Sequence, residues 1–387
     1  MSSRPLKSGP DMPTCSRWID VIDLLSRNEH FGVPYAAVMD AAVGRFMLAR
    51  DNTPENWHDK SVMRALLRFE DLPKIRQRAG EETASILARE RASRVPTIDV
   101  AGMISRAVPL CIVRETFGFQ GGGLNDATIL QWSKATQWAM FHNFERPDPT
   151  KMKEGIDAGQ AMQRWIDGNW QLLVARAGNG ADDTISRLMR VTAGGTTLLD
   201  RQQVVTNVCG LLVGAIETTS QAIVKVTDHI LNNRNFGSAA DAAILANDGS
   251  RFDGIVREAL RFAPVSDVLL RFAKADTVIA PGTPRATAVK AGTPVKAEIR
   301  SAMFDPAVFP NPDTLDPARP RHLYLTLGFG PHECLGRMIG EEIVAETVRQ
   351  LLTPPGVKLL PDSGSQIDFR DGPFPESFVL TLRPSIT

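Results

Sequence analysis

Leu327-Gly328-Phe329-Gly330-Pro331-His332-Glu333-Cys334-Leu335-Gly336 is the stretch on which the reading of this chain turns. Glycines at 328, 330 and 336 around a single cysteine describe a tight loop. Its backbone can pass close to something flat and bulky, because glycine has no Cβ and accepts left-handed conformations. Downstream, Met338, Ile339, Ile343, Val344, Val348 and Leu351 recur at helical spacing, so Cys334 stands just ahead of a helix N-terminus. Backbone N–H groups and the positive end of the helix dipole there favour a thiolate over a thiol. Such a sulfur ligates a metal or acts as a nucleophile, and the loop alone leaves both open.

The rest of the chain narrows the class of protein. It has 387 residues, with 44 Lys+Arg against 44 Asp+Glu. Zero net charge argues against a nucleic-acid or anionic-membrane partner held by bulk electrostatics. Cys15, Cys111 and Cys209 have no paired spacing with one another or with Cys334, so neither a disulfide framework nor a structural zinc site is signalled. The three are read as small buried hydrophobes. The opening MSSRPLKSGPDMPTC has no apolar core of a signal peptide. These features lead to the expectation of a soluble, cytoplasmic protein.

From about Asn56 to Phe236 the pattern is mainly helical. Leu66, Phe69, Leu72, Ile75, Ala79 and Ile86 form one apolar stripe, and a further helix runs through Ile104, Val108 and Val113 to Gly118. The most informative helix begins after Asp200 and runs to about Asn232, apolar almost all round. Such a helix belongs in a core or a membrane, and Glu217, Lys225 and Asp228 exclude the membrane. After Val268 the texture changes to short β-type runs separated by Gly and Pro, ending in Phe378 to Leu382. The expectation is a mostly helical fold with a minor, late-arriving sheet.

With these residues in view, the Cys334 loop resembles the haem-binding loop of the cytochrome P450 family, Phe-Gly-x-Gly-x-His-x-Cys-x-Gly. Every fixed position matches except the first, where Leu327 replaces Phe. Glu258-Ala259-Leu260-Arg261, with Glu258 76 residues ahead of Cys334, is similar to the family's Glu-x-x-Arg helix. The segment from Asp305 to Arg319-Pro320 is similar to its meander. The resemblance assigns Glu258, Arg261 and Arg319 to a structural triad. Gly214-Ala215-Ile216-Glu217-Thr218-Thr219 resembles the oxygen-activation motif, with Ala215 where the family usually has Gly. On that reading Thr218 bends the helix and passes protons with Glu217. Plain back-bonding of Thr218 to a carbonyl one turn earlier is the blander alternative.

The resemblance implies a P450 fold over 1–387, a single domain with a shortened N-terminal region and a long central helix crossing the haem pocket. It implies haem b, ligated by Cys334 and cradled by Ala215, Leu327, Gly328, Phe329, His332 and Gly336. Its propionates would be held by Arg271 and His332. The family's helix spacing, counted back from Phe69, adds His58; the expected Arg one turn on is Val62, with Arg64 two residues later. The implied activity is monooxygenation of a small to medium organic substrate by O2. With no reductase domain and no membrane anchor expected, electrons would come from a ferredoxin or flavodoxin with its reductase. Arg64, Arg68, Lys74, Arg76, Arg78 and Arg337 could offer that partner a basic face, or could be a solvated helix face. A peroxide-driven peroxygenase and a non-catalytic haem sensor or electron carrier are the alternatives. The expected pocket walls are residues 140–160, Leu212 to Thr219, Val265 to Leu270 and Gly372 to Phe378.

Overall fold

The structure, a computed structural model, describes residues 12–93, 95–144, 147–361, 365–370 and 372–382. Most of the opening segment and positions 145–146 of the expected pocket wall lie outside them. Helix accounts for 58% of the chain and strand for 9%, as expected of a helical fold with a minor sheet. Eight helices position the site: α1 (Pro54–Leu66), α2 (Leu72–Ala92), α3 (Asp126–Gln137), α4 (Pro149–Gly168), α5 (Arg201–Ala215), α6 (Glu217–Asn232), α7 (Gly249–Phe262) and α8 (Arg337–Leu352).

The stripe expected to run unbroken from Leu66 to Ile86 is divided between α1 and α2. Pro73 occupies the first turn of α2, where its missing N–H costs nothing but where a continuing helix would have needed it. The chain therefore turns through a short 3₁₀ segment at Phe69–Asp71, and Phe69 is 70% exposed rather than part of the stripe.

Asp200 caps α5 in a reciprocal capping box with Gln203. The long helix that follows is two helices, not one, meeting at Ile216. The hydroxyls of Thr218 and Thr219 donate to the carbonyls of Gly214 at 2.6 Å and Ala215 at 2.8 Å. Hydroxyls inserted one turn back compete with the backbone ladder and bend a helix at that point. The Arg201–Asn232 span is long and apolar enough to cross a membrane, but 83% of its most apolar stretch is buried inside the protein, so it is a core helix.

Among the described residues two sheets of more than two strands flank the helices, beside two two-stranded hairpins. The larger joins β1 (Thr14–Cys15), β2 (Phe31–Gly32), β4 (Leu269–Ala273) and β5 (Pro294–Ala297) in the order β1-β5-β4-β2. The smaller joins β3 (Thr97–Asp99), β6 (Val357–Lys358) and β7 (Val379–Leu382) in the order β6-β7-β3. The sheet is thus not wholly late in the chain: two N-terminal pairs and Thr97–Asp99 join it. Strands of two or three residues carry too little alternation to be seen in a sequence. Helix α8 packs against both α2 and α6, which fixes the start of α8, and hence Cys334, relative to the bend at Ile216.

Candidate functional site

The Cys334 loop is closed by its own backbone. The Cys334 N–H donates to the Leu327 carbonyl at 2.9 Å, and the Glu333 N–H to Gly330 at 3.0 Å. Gly328 and Gly330 hold φ of +76° and +71°, a region that other residues enter only with strain. A side chain at Gly330 would also stand 3.1 Å from the Leu25 carbonyl. Gly336 caps α8, so the sulfur sits just ahead of a helix start, and the Gly336 N–H is aimed at it. Cys334 is exposed by area yet lies deep in the protein mass. Burial raises the thiol pKa; the Gly336 N–H, Arg337 and Lys60 pull the other way without overcoming it. A cation at the sulfur is what would turn the balance to thiolate.

Lys60, which sequence reasoning missed, ties α1 to this loop. Its ammonium donates to the carbonyls of Pro331 and, at 3.0 Å, Glu333. Burial, and then neighbouring Arg64, push its pKa down to about 8. On the next edge of the loop, Arg271 from β4 and His332 are both buried. Arg271 Nη1 donates to Leu270 at 2.8 Å, but its Nε has no partner. His332 Nε2 lies 3.0 Å from Asp51 Oδ1, its Nδ1 has no partner, and burial lowers its pKa. Asp51 is shared with Lys274 at 2.6 Å. Unfilled hydrogen-bonding atoms on two buried, potentially cationic groups suit an anion with several acceptor oxygens.

His58 and Arg64 pair with Asp59 and Glu333 respectively. Asp59 is buried and accepts from Gln203 and Asn207 of α5, which turns that face of α1 inward. His58 is left 45% exposed with its ring on Asp59, and Arg64 is 54% exposed at 3.6 Å from Glu333.

On the bent helix one stripe is open while its neighbours are closed. Gly214 is exposed, and a Cβ there would meet no atom within 4 Å; Ala215 and Thr218 are half-buried. Val213, Ile216 and Glu217 are buried. Positions i, i+1 and i+4 share a helix face, so the open stripe is a single surface. Glu217 points away from it, into an ion pair with Arg106 Nε at 2.9 and 3.1 Å. Burial raises the Glu217 pKa, with Arg106 opposing.

Glu258, Arg261 and Arg319 do come together, with Tyr324 as a fourth member not anticipated from sequence. Arg261 Nε and Nη2 each donate to Glu258 at 2.8 Å, and its remaining donors reach the carbonyls of Met303, Pro312 and Thr314. Arg319 Nε is 3.5 Å from Glu258, and the Tyr324 hydroxyl donates to Glu258 at 2.8 Å. Cys15 and Cys209 are buried, whereas Cys111 is partly exposed with its thiol 3.5 Å from Glu115. Among the described residues, no group of three or more His, Cys, Asp and Glu could hold a metal ion, so a metal at Cys334 would have a single protein ligand.

A family profile described as Cytochrome P450 matches residues 252–365, which include the Glu258 knot and the Cys334 loop. A steroid C26-monooxygenase of Mycobacterium tuberculosis is 32% identical over 192 residues, 49% of this chain and 48% of that protein. Its counterpart in Mycolicibacterium smegmatis is 28% identical over 73% of this chain and 66% of its own length. The aligned region thus spans about half the length of the tuberculosis relative. Among solved structures, CalO2 superposes with a TM-score of 0.79 at 18% identity, covering 98% of this chain and 93% of its own. The bacillaene polyketide synthase cytochrome P450 PksS of Bacillus subtilis gives 0.76 at 20%, covering 95% and 90%. The fold is therefore shared with these cytochrome P450 structures over nearly the whole chain, and the cysteine loop lies inside the stretch matched by the cytochrome P450 profile.

Proposed function

We propose that the chain is a haem-thiolate monooxygenase that inserts one atom of O2 into a small to medium, largely apolar organic substrate and reduces the other to water. The observation that carries this is Cys334: a lone sulfur on a loop held open by two left-handed glycines, ahead of a helix start. The unfilled Nε of Arg271 and Nδ1 of His332 fit the two propionates of haem b. Leu327, Gly328, Phe329 and Gly336 would line the sulfur side, and Gly214, Ala215 and Thr218 the other. Bound there, the haem supplies O2 binding and activation, with the thiolate pushing electron density to favour O–O cleavage.

The protein's own part is to exclude water and place protons. Thr218 presents the motif-matched hydroxyl on the open stripe, and Glu217 behind it connects the pocket to a chain of charges. Buried and raised in pKa, Glu217 is suited to trade a proton. His58 and Arg64 are left out of the propionate cradle on this reading. Glu258, Arg261 and Arg319 serve folding, because removing one partner of a buried pair leaves an uncompensated charge. The whole chain would act as one domain in the cytoplasm.

Electrons would come from a separate acidic carrier, a ferredoxin or flavodoxin. The broad basic face expected from sequence is largely neutralised: Arg68 pairs with Asp182, Arg76 with Asp253 and Glu342, and Arg78 with Glu115 and Glu82. Beside the cysteine loop lies a cleft of about 520 Å³ lined by a 58% exposed Trp57 with Lys60, Arg64, Arg321 and Arg337, although Arg64 and Arg337 also pair with Glu333 and Arg321 with Glu341.

Reduction under carbon monoxide tests the central claim: thiolate ligation gives a band near ~450 nm in this family. Cys334→Ala should abolish it, and a full-strength band in that variant would overturn the assignment. Relatives named for steroid oxidation make steroids the first panel to screen for shifts of the ferric Soret band. With a ligand found, Thr218→Ala should keep binding and reduction but cut product per NAD(P)H, general acid–base assistance being worth about 10²–10⁴-fold.

A further inference from the structure

The charges behind Glu217 form an ordered series from the core to the surface. Glu217 is 1% exposed in its side chain, Arg106 14%, Glu376 19% and Lys134 40%. Arg106, in the turn before the helix Ala107–Ile112, gives its Nε to both oxygens of Glu217. Its Nη2 makes only a long contact, 3.4 Å, to Glu376 Oε1. That same oxygen takes the Lys134 ammonium at 2.7 Å. One guanidinium is thus flanked by two carboxylates, and Lys134 occupies the outer one.

The outer pair ties one wall of the expected pocket, the 372–378 loop, to α3, which runs on through Trp138–His142 into the 140–160 wall. Lys134 lies on α3, and Glu376 on the loop leading to β7. The two segments also meet through Phe374, which packs edge-on against Trp138 and His142 in the π-turn that extends α3. Displacing α3 from that loop would separate Lys134 from Glu376. Glu376 would then have Arg106 as its remaining cation, and Arg106 would be divided between two acids.

We propose that Lys134 and Glu376 are positioning residues that set, through Arg106, whether Glu217 is held as an anion or released to carry a proton. The proposal rests on the reading of Glu217 as the pocket's proton-carrying acid. The charged groups facing Glu217 are Arg106, Lys134 and Glu376, and Asp99 of β3 also faces Arg106. The proton itself comes from solvent water that reaches the Glu217 carboxylate once Arg106 is drawn off it, the guanidinium staying protonated throughout.

Infrared titration of the Glu217 carboxyl in the holoprotein reads this directly, with the band assigned by its loss in Glu217→Gln. Lys134→Met should raise the midpoint by about one pH unit, and Glu376→Gln should lower it. Lys134→Arg should restore the native midpoint. The decisive case is the double variant. If Lys134 acts only by occupying Glu376, the double variant titrates like Glu376→Gln alone; strict additivity would mean a plain distant charge and overturn the latch. Unmoved midpoints in both single variants would overturn it as well. Each variant's carbonyl band is recorded alongside, so a failed latch and a failed haem assignment give different results.

Discussion

Two buried arginines of this molecule are finished to different degrees. Arg261 is wholly buried and each of its nitrogens has a partner, shared among Glu258 and three backbone carbonyls. Arg271 is almost as buried, yet it donates to its neighbour Leu270 and leaves Nε unfilled. Desolvating a guanidinium is costly, and the cost is offset at Arg261 within the chain itself. At Arg271 burial lowers the pKa, and Tyr35 and Asp51 offset it only partly. A completed network belongs to the fold. An incomplete one, next to a glycine loop with an accessible sulfur, belongs to something the fold receives.

The largest effect should come from breaking the finished network. Arg261→Met leaves Glu258 buried with the more distant Arg319, and should cost about 3–5 kcal/mol in urea unfolding, or prevent accumulation of folded protein. Glu258→Gln should lie below that range, since the amide keeps part of the bonding. Arg271→Met should behave in the opposite way: unfolding of the haem-free protein unchanged or slightly more stable, but haem retention weakened about 10–100-fold when measured by transfer to an acceptor protein. Equal losses of stability in the two variants would erase the distinction drawn between them.

A third, smaller effect separates the two regions by pH. His142 sits beside Phe374 on the open side, and burial, with Lys225 adding to it, pushes its pKa from the ordinary 6.5 to about 4. The unfolded chain therefore binds a proton below pH 6.5 that the folded one accepts only near pH 4. Stability is full above pH 6.5 and falls as the pH drops from there to about 4. Relative to His142→Phe, the native protein should lose on the order of 1–2 kcal/mol between pH 7 and 4.5 in urea melts, after allowance for partial exposure. Parallel pH profiles in the two proteins would show that His142 is solvated.

The parts legible in the sequence were those whose chemistry is local. The Cys334 loop, the Glu258–Arg261 spacing, the Asp200 cap and the Gly214–Thr219 run each declare themselves within ten residues, because backbone conformation and helix geometry act at that range. Lys60, Asp51 and Arg106 were not legible. Their partners Pro331, His332 and Glu217 lie 271, 281 and 111 residues away, and an isolated Lys, Asp or Arg reads as a solvated surface group. At His58 helix register alone does not say which face of α1 turns inward. The buried Asp59 decided that, through side chains on α5.

The smallest expected effect concerns Leu327, the one fixed loop position that departs from the family pattern. Its carbonyl holds the Cys334 N–H, so the backbone role is independent of the side chain and substitution should leave the loop intact. What the side chain changes is access of water to the sulfur. A ferric thiolate porphyrin core is neutral and its ferrous form carries one negative charge, so removing nearby water disfavours reduction. Leu327→Phe should therefore keep the ~450 nm band and lower the ferric/ferrous potential by less than about 59 mV, the one-electron equivalent of tenfold. Phe329 is the competing aromatic in the loop, and it lines the cleft with Trp57. If Phe329 already shields the sulfur from that side, the potential of Leu327→Phe will not move, whereas Phe329→Leu will raise it.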